Sequence, residues 1–174
     1  MIQTFDTQLE VSLRAMREVV APALNDAESH VIEQFHLALI TLEFMRERLP
    51  YARSFHRLEL THLLNFSEQV RGLVANDQPD LAAALDQTET TGHKDLARPE
   101  AEIEDYLIVG RKLREHIGEV IKLSNGKPYE NELDKLALRS QKEFLPAQRA
   151  WCEPLGLDTR PDEVLKIEEV LAVS

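Results

Sequence analysis

Apolar residues recur along this chain at three- and four-residue intervals almost from end to end. Strict alternation bounded by Asn-Gly or Asp-Gly turns is absent. The pattern predicts an all-α protein. A first helix is expected from about Asp6 to Val20, with Leu9, Leu13, Met16 and Val20 on one stripe and Glu10, Arg14 and Glu18 turned away. Pro22 should end or kink it, because proline lacks an N–H and clashes with the preceding turn. A second helix, capped by Asp26, should cover about Ala27 to Leu49. Its main stripe is Val31, Phe35, Ala38, Leu42, Met45 and Leu49, while Leu37, Ile40 and Phe44 lie on the other side. A helix apolar on two faces is expected in the middle of a bundle.

Pro50 marks a turn, and a third helix should run from about Ala52 to Val74 with Phe55, Leu63, Phe66, Val70 and Leu73 inward. Pro79 opens a short fourth helix over Leu81 to Leu85. The polar stretch from Thr88 to Arg98 buries little and is expected to be a surface loop. Pro99 and the acids after it start a fifth helix, which stops at Ser124-Asn125-Gly126. A sixth follows Pro128, kinked at Pro146 and closed by Pro154 and Gly156, and a last short one covers about Pro161 to Leu171. Five long amphipathic helices with short connections, plus two short accessory helices, predict an antiparallel up-and-down bundle folded as one domain over residues 1–174.

Composition narrows the function classes. The 174 residues are 43% hydrophobic and 29% charged, and 20 basic against 31 acidic residues give a net charge of −11. That balance disfavours nucleic acid and anionic membrane as partners, since both attract clustered Lys and Arg. Cys152 is the single cysteine, so neither an intrachain disulfide nor a cysteine-rich zinc site is expected. The segment beginning Met1-Ile2-Gln3 lacks a basic stretch before an apolar run, and no apolar stretch has spanning length, so a cytoplasmic location is the default expectation.

One motif carries candidate chemistry. His56-Arg57-Leu58-Glu59-Leu60-Thr61-His62 follows a His-x-x-Glu-x-x-His pattern, and His30 to His36 repeats it with Glu33 at the centre. Three-residue spacing puts His, Glu and His on one helical ridge, a donor set suited to Fe, Mn or Zn. Glu33-Gln34-Phe35-His36 and Glu59-Leu60-Thr61-His62 resemble, over those eight residues, the Glu-x-x-His elements of ferritin-like di-metal carboxylate proteins. The resemblance implies a bundle-core metal site and an oxidoreductase activity. Here, however, the two elements fall on consecutive helices rather than alternate ones. In a hairpin turning near residue 51 they are also offset by roughly 15 Å.

Wheel position separates the copies as well. Glu59 falls among Phe55, Leu63, Phe66 and Val70 with His56 and His62 at the edges, whereas Glu33 points away from its helix's main stripe. A buried carboxylate needs a partner, and Glu43 as a second ligand or Arg46 as a salt bridge could serve. Ser140 and Gln148, polar positions among the apolar ones of the sixth helix, could line a cavity. Two readings follow. One is a protein that works through helix faces or binds a small ligand without a cofactor, as a homodimer joined through the two-faced second helix. The other is a metal-binding protein or metal-dependent oxidoreductase with Glu59, His62, Glu43 and His56 as ligands.

Overall fold

A computed structural model describes residues 4–172 of the chain; residues 1–3, on which part of the leader-peptide expectation rests, and 173–174 lie outside the described residues. Among the described residues there is no strand, and none of the helices is long and apolar enough to cross a membrane. The chain is an all-α helical bundle protein, as its periodicity predicts. The helices in order are α1 (Phe5–Ala15), α2 (Ala21–Ala23), α3 (Ser29–Arg48), α4 (Ala52–Val74), α5 (Pro79–Ala97), α6 (Ile103–Leu123), α7 (Glu130–Cys152) and α8 (Ile167–Ala172). Contacts divide them into two compact units, one of residues 1–51 and 151–163, the other of residues 52–150 and 164–174.

The larger unit is built on α4, α5, α6 and α7. Leu60, Leu64, Val70 and Val74 of α4 pack with Leu85 of α5, Tyr106, Val109, Leu113, Ile117 and Val120 of α6, and Leu133 and Leu136 of α7. Pairings run in opposite directions along α4 and α5: Arg71 of α4 meets Asp86 of α5, while Arg57, earlier on α4, donates to the Leu96 carbonyl, farther along α5. The buried stripe of α4 is Phe55, Leu60, Leu64, Ser67, Val70 and Val74. It sits one position round from the expected stripe, and Leu63, Phe66 and Leu73 are only partly buried. Arg57 and Arg53 of α4 tie down the α5–α6 connection, donating to the carbonyls of Leu96, Pro99 and Ala101. The Leu96 carbonyl is an end-of-helix acceptor that otherwise needs water, and those of Pro99 and Ala101 belong to the connection itself. At the opposite end, Tyr129 takes a hydrogen bond from Gln78 (2.5 Å), and Lys127 pairs with Asp77 at 3.0 Å.

The expected loop from Thr88 to Arg98 is instead the second half of α5. Its polar residues are inside because they have partners. Glu89 is 3% exposed and accepts from Ser67 Oγ and Arg71 Nε, both at 2.7 Å. Asp95 pairs with Arg98 at 3.0 Å. Gly92 sits at a close contact: a Cβ at this position would lie 2.9 Å from Leu64 Cδ2 and 3.1 Å from Val109 Cγ1, so any side chain here requires the buried Leu64 to shift.

The smaller unit departs further from expectation. Pro22 does not stop the first helix; a π-helical turn over Met16–Val20 precedes it, and α2 carries Pro22 in its first turn. A widened turn of this kind relieves the clash a proline ring makes with an α-helical turn behind it. Helix α1 lies against α3, with Arg17 paired to Glu43 and Arg46 to Asp6 and Glu10. Within α3 the buried residue is Arg48, which donates to the Trp151 carbonyl at 2.8 Å and pairs with Glu153 at 3.2 Å. Phe44 meets Trp151 edge to face at 6.0 Å. The two-faced helix is therefore no central helix. Val31, Leu37, Ile40 and Met45 are all exposed.

Candidate functional site

The centre of the downstream motif lies on the groove side of α4, where that helix faces α6 and α7. Glu59, 26% exposed, accepts from Arg114 Nη2 at 2.5 Å and from His56 Nδ1 at 3.1 Å. Its partner is therefore Arg114 of α6. Arg46, the expected cation, binds Asp6 and Glu10 instead, and Glu43 is taken by Arg17. His62 points the other way round the helix. Its Nε2 hydrogen-bonds Ser140 Oγ at 2.9 Å, and its ring stacks on Phe144 with centroids 4.8 Å apart and planes 15° from parallel.

These side chains line one groove of about 250 Å³ between α4, α6 and α7. Its apolar walls are Leu63, Phe66, Ile121, Ala137 and Phe144, and its polar groups are Glu59, His62, Arg114, Ser140, Gln141 and Gln148. Burial holds the His62 pKa below its usual 6.5, against the opposing attraction of Glu143 and the contact with Ser140. The ring is consequently neutral at pH 7. A neutral imidazole stacked on a phenyl ring and anchored at Nε2 has one nitrogen left to offer. Gln141 and Gln148 bring two further amides to the same groove.

Among the described residues, no group of three or more His, Cys, Asp or Glu side chains is placed to hold a metal ion. Of the four expected ligands, the structure brings His56 and Glu59 into contact. It pairs Glu43 with an arginine and directs His62 to a serine. The upstream copy is solvated: His30, Glu33 and His36 are exposed, and His30 pairs with Glu28 at 3.3 Å. His93, within the stretch expected to be a loop, is on α5 and donates to Glu68 at 2.8 Å.

No protein-family model, curated protein or solved structure matches this chain.

A larger cleft of about 450 Å³ runs between α5 and α6, lined by Thr88, Thr91, Asp95, Asp105, Lys112, Glu115 and His116 among others. Four of its polar side chains are engaged, and Gln87, Lys112, Glu115 and His116 line it as well. Thr88 and Thr91 donate to the carbonyls of Ala84 and Gln87, and Arg98 binds both Asp95 and Asp105. The smaller groove combines an aromatic stack, an ion pair and the amides of Gln141 and Gln148. Of its residues, Ser140 and Gln148 were legible as polar interruptions of an apolar stripe. Arg114 was not, because its cationic neighbours Arg111 and Lys112 disguise it as part of a surface patch.

Proposed function

We propose that this protein is a non-enzymatic small-ligand-binding helical bundle whose site is the groove between α4, α6 and α7. The observation that carries the reading is the His62–Phe144 stack held by Ser140, with apolar walls on both sides. Ligand sites are concave, mostly apolar, and use a few fixed polar groups to orient what they hold. At about 250 Å³ the groove lies just under the usual range of roughly 300–1,000 Å³, which favours a small ligand over an extended one.

The lining also supports a particular ligand chemistry. Gln141, Gln148 and the outer N–H groups of Arg114 are donors, while the Glu59 carboxylate is already met by Arg114 and His56. A flat apolar molecule carrying an acceptor oxygen, as a carboxylate or a carboxamide, satisfies both halves of that lining. The experiment is titration of the full chain with 2-naphthoate and 2-naphthamide, following the His62 imidazole and the Leu63 and Ile121 methyl resonances by NMR. Saturable shifts confined to groove residues are expected with at least one probe. Absence of saturation with both would overturn the reading.

A further inference from the structure

The charges of the groove between α4, α6 and α7 cancel within its own lining. Its titratable residues are Glu59, His62 and Arg114, and its other polar groups are the Ser140 hydroxyl and the amides of Gln141 and Gln148. With His62 neutral, one anion and one cation remain, and they are bonded to each other. Arg114 Nη2 donates to Glu59 Oε1 at 2.5 Å. The guanidinium also packs close to its own helix: a Cβ on Gly110, one turn earlier, would lie 3.3 Å from Arg114 Nη1. The lining therefore carries no net charge, and its cation already has a counterion.

Neighbouring cations do not take its place. Arg139 and Lys142 of α7 line a separate surface hollow together with Glu143, and Arg139 donates to Gln69 at 2.5 Å. A carboxylate entering the groove would be the one uncompensated charge in a partly desolvated site, on a chain that itself carries −11.

Hydrogen-bonding capacity points the same way. Glu59 accepts from Arg114 and His56, and an ionised carboxylate has about four lone-pair sites, so it can accept from a ligand as well. Gln141 and Gln148 lie on either side of Phe144 along α7, and each amide presents both donor N–H groups and an acceptor oxygen. A carboxylate offers acceptors only, so it cannot donate to Glu59 or to the glutamine oxygens. A carboxamide offers a carbonyl to Arg114 and N–H groups to those acceptors.

We infer that the groove takes an uncharged aromatic carboxamide in preference to the matching carboxylate, with Glu59 as the residue that sets the choice. The inference rests on the groove being the ligand site and adds the charge state of the ligand it admits. Glu59 acts in two ways: it cancels the charge of Arg114, and it accepts from the ligand's N–H. Without that carboxylate the same groove presents an uncompensated guanidinium, which suits an anion.

The test compares 2-naphthamide with 2-naphthoate on the full chain at pH 8, above the ordinary histidine range, with the Leu63 and Ile121 methyl resonances as readout. The amide should bind at least tenfold tighter than the carboxylate. Glu59→Gln, which removes the charge and keeps the size of the side chain, should move the ratio of the two affinities at least tenfold towards naphthoate. Arg114→Gln, which leaves Glu59 without its counterion, should move the ratio the other way. Circular dichroism checks that both variants keep the parent's helical content. Equal affinities in the parent, or a preference for naphthoate, would overturn the inference while leaving the groove standing as a ligand site. So would a Glu59→Gln chain with the parent's ratio. Saturation by neither probe would remove the site itself, and the inference with it.

Discussion

The two units of this protein solve the problem of burying helices in opposite ways. In the α4–α7 bundle the apolar stripes meet one another, and even polar side chains are taken inside when a partner is present: Ser67, Glu89 and Arg71 form one connected set. In the unit built on α1 and α3, Leu13 is the buried apolar residue, and the buried residue of α3 is an arginine. Val11, Val19, Leu37, Ile40 and Met45 all remain open to solvent. A helix rich in Leu, Val and Ile is thus no guide to a core. What decides burial is whether another stripe is available to meet it, and the bundle has four long helices to supply one.

That contrast makes testable differences in stability. Leu64 is 1% exposed at the centre of the bundle, so Leu64→Ala should cost about 3 kcal/mol in denaturant unfolding. Met45→Ala, on the open face of α3, should change monomer stability by less than about 0.5 kcal/mol. Equal losses would mean that the two units are packed alike. Glu89→Ala should cost about 2 kcal/mol, because it leaves the fully buried Ser67 hydroxyl without its acceptor, while Arg71 keeps its pair with Asp86. Double-mutant cycles between Glu89 and Ser67 should show coupling, and additive losses would separate the set.

A smaller effect should appear with pH. The folded-state pKa of His62 lies below the unfolded value near 6.5, because burial disfavours the imidazolium. Above pH 6.5 both states leave the ring neutral. As the pH falls below that value, the unfolded chain takes up a proton that the folded one resists, and stability is lost until the folded pKa is passed. His62→Gln should flatten that part of the stability–pH curve. A variant with the same slope as the parent would show that the ring is not held neutral by its site.

How much of this was legible in the sequence varies with the residue. Helix periodicity was, because it depends on spacing alone, and α3, α4 and α6 fall near their expected bounds. The second half of α5 was not. Thr88, Glu89, Gly92 and Asp95 read as loop chemistry, and only the placement of Ser67, Arg71, Leu64 and Arg98 around them explains why they are helical and buried. The partner of Glu59 was out of reach for a similar reason. Arg46 is close along the two-helix hairpin drawn from sequence, whereas Arg114 arrives from a helix some 55 residues away. The motif that first suggested a shared cluster supplies a paired carboxylate at Glu59 and a groove-lining ring at His62 instead.

The claim that the groove between α4, α6 and α7 is the binding site is tested most directly by filling it. Ala137→Phe places a ring inside that groove, and Ala84→Phe does the same in the larger cleft between α5 and α6. Affinities of both variants for 2-naphthoate and 2-naphthamide are measured against the parent. The account predicts at least a tenfold loss in Ala137→Phe, with Ala84→Phe within twofold of the parent. Equal affinities in both variants, or loss only in Ala84→Phe, would contradict it.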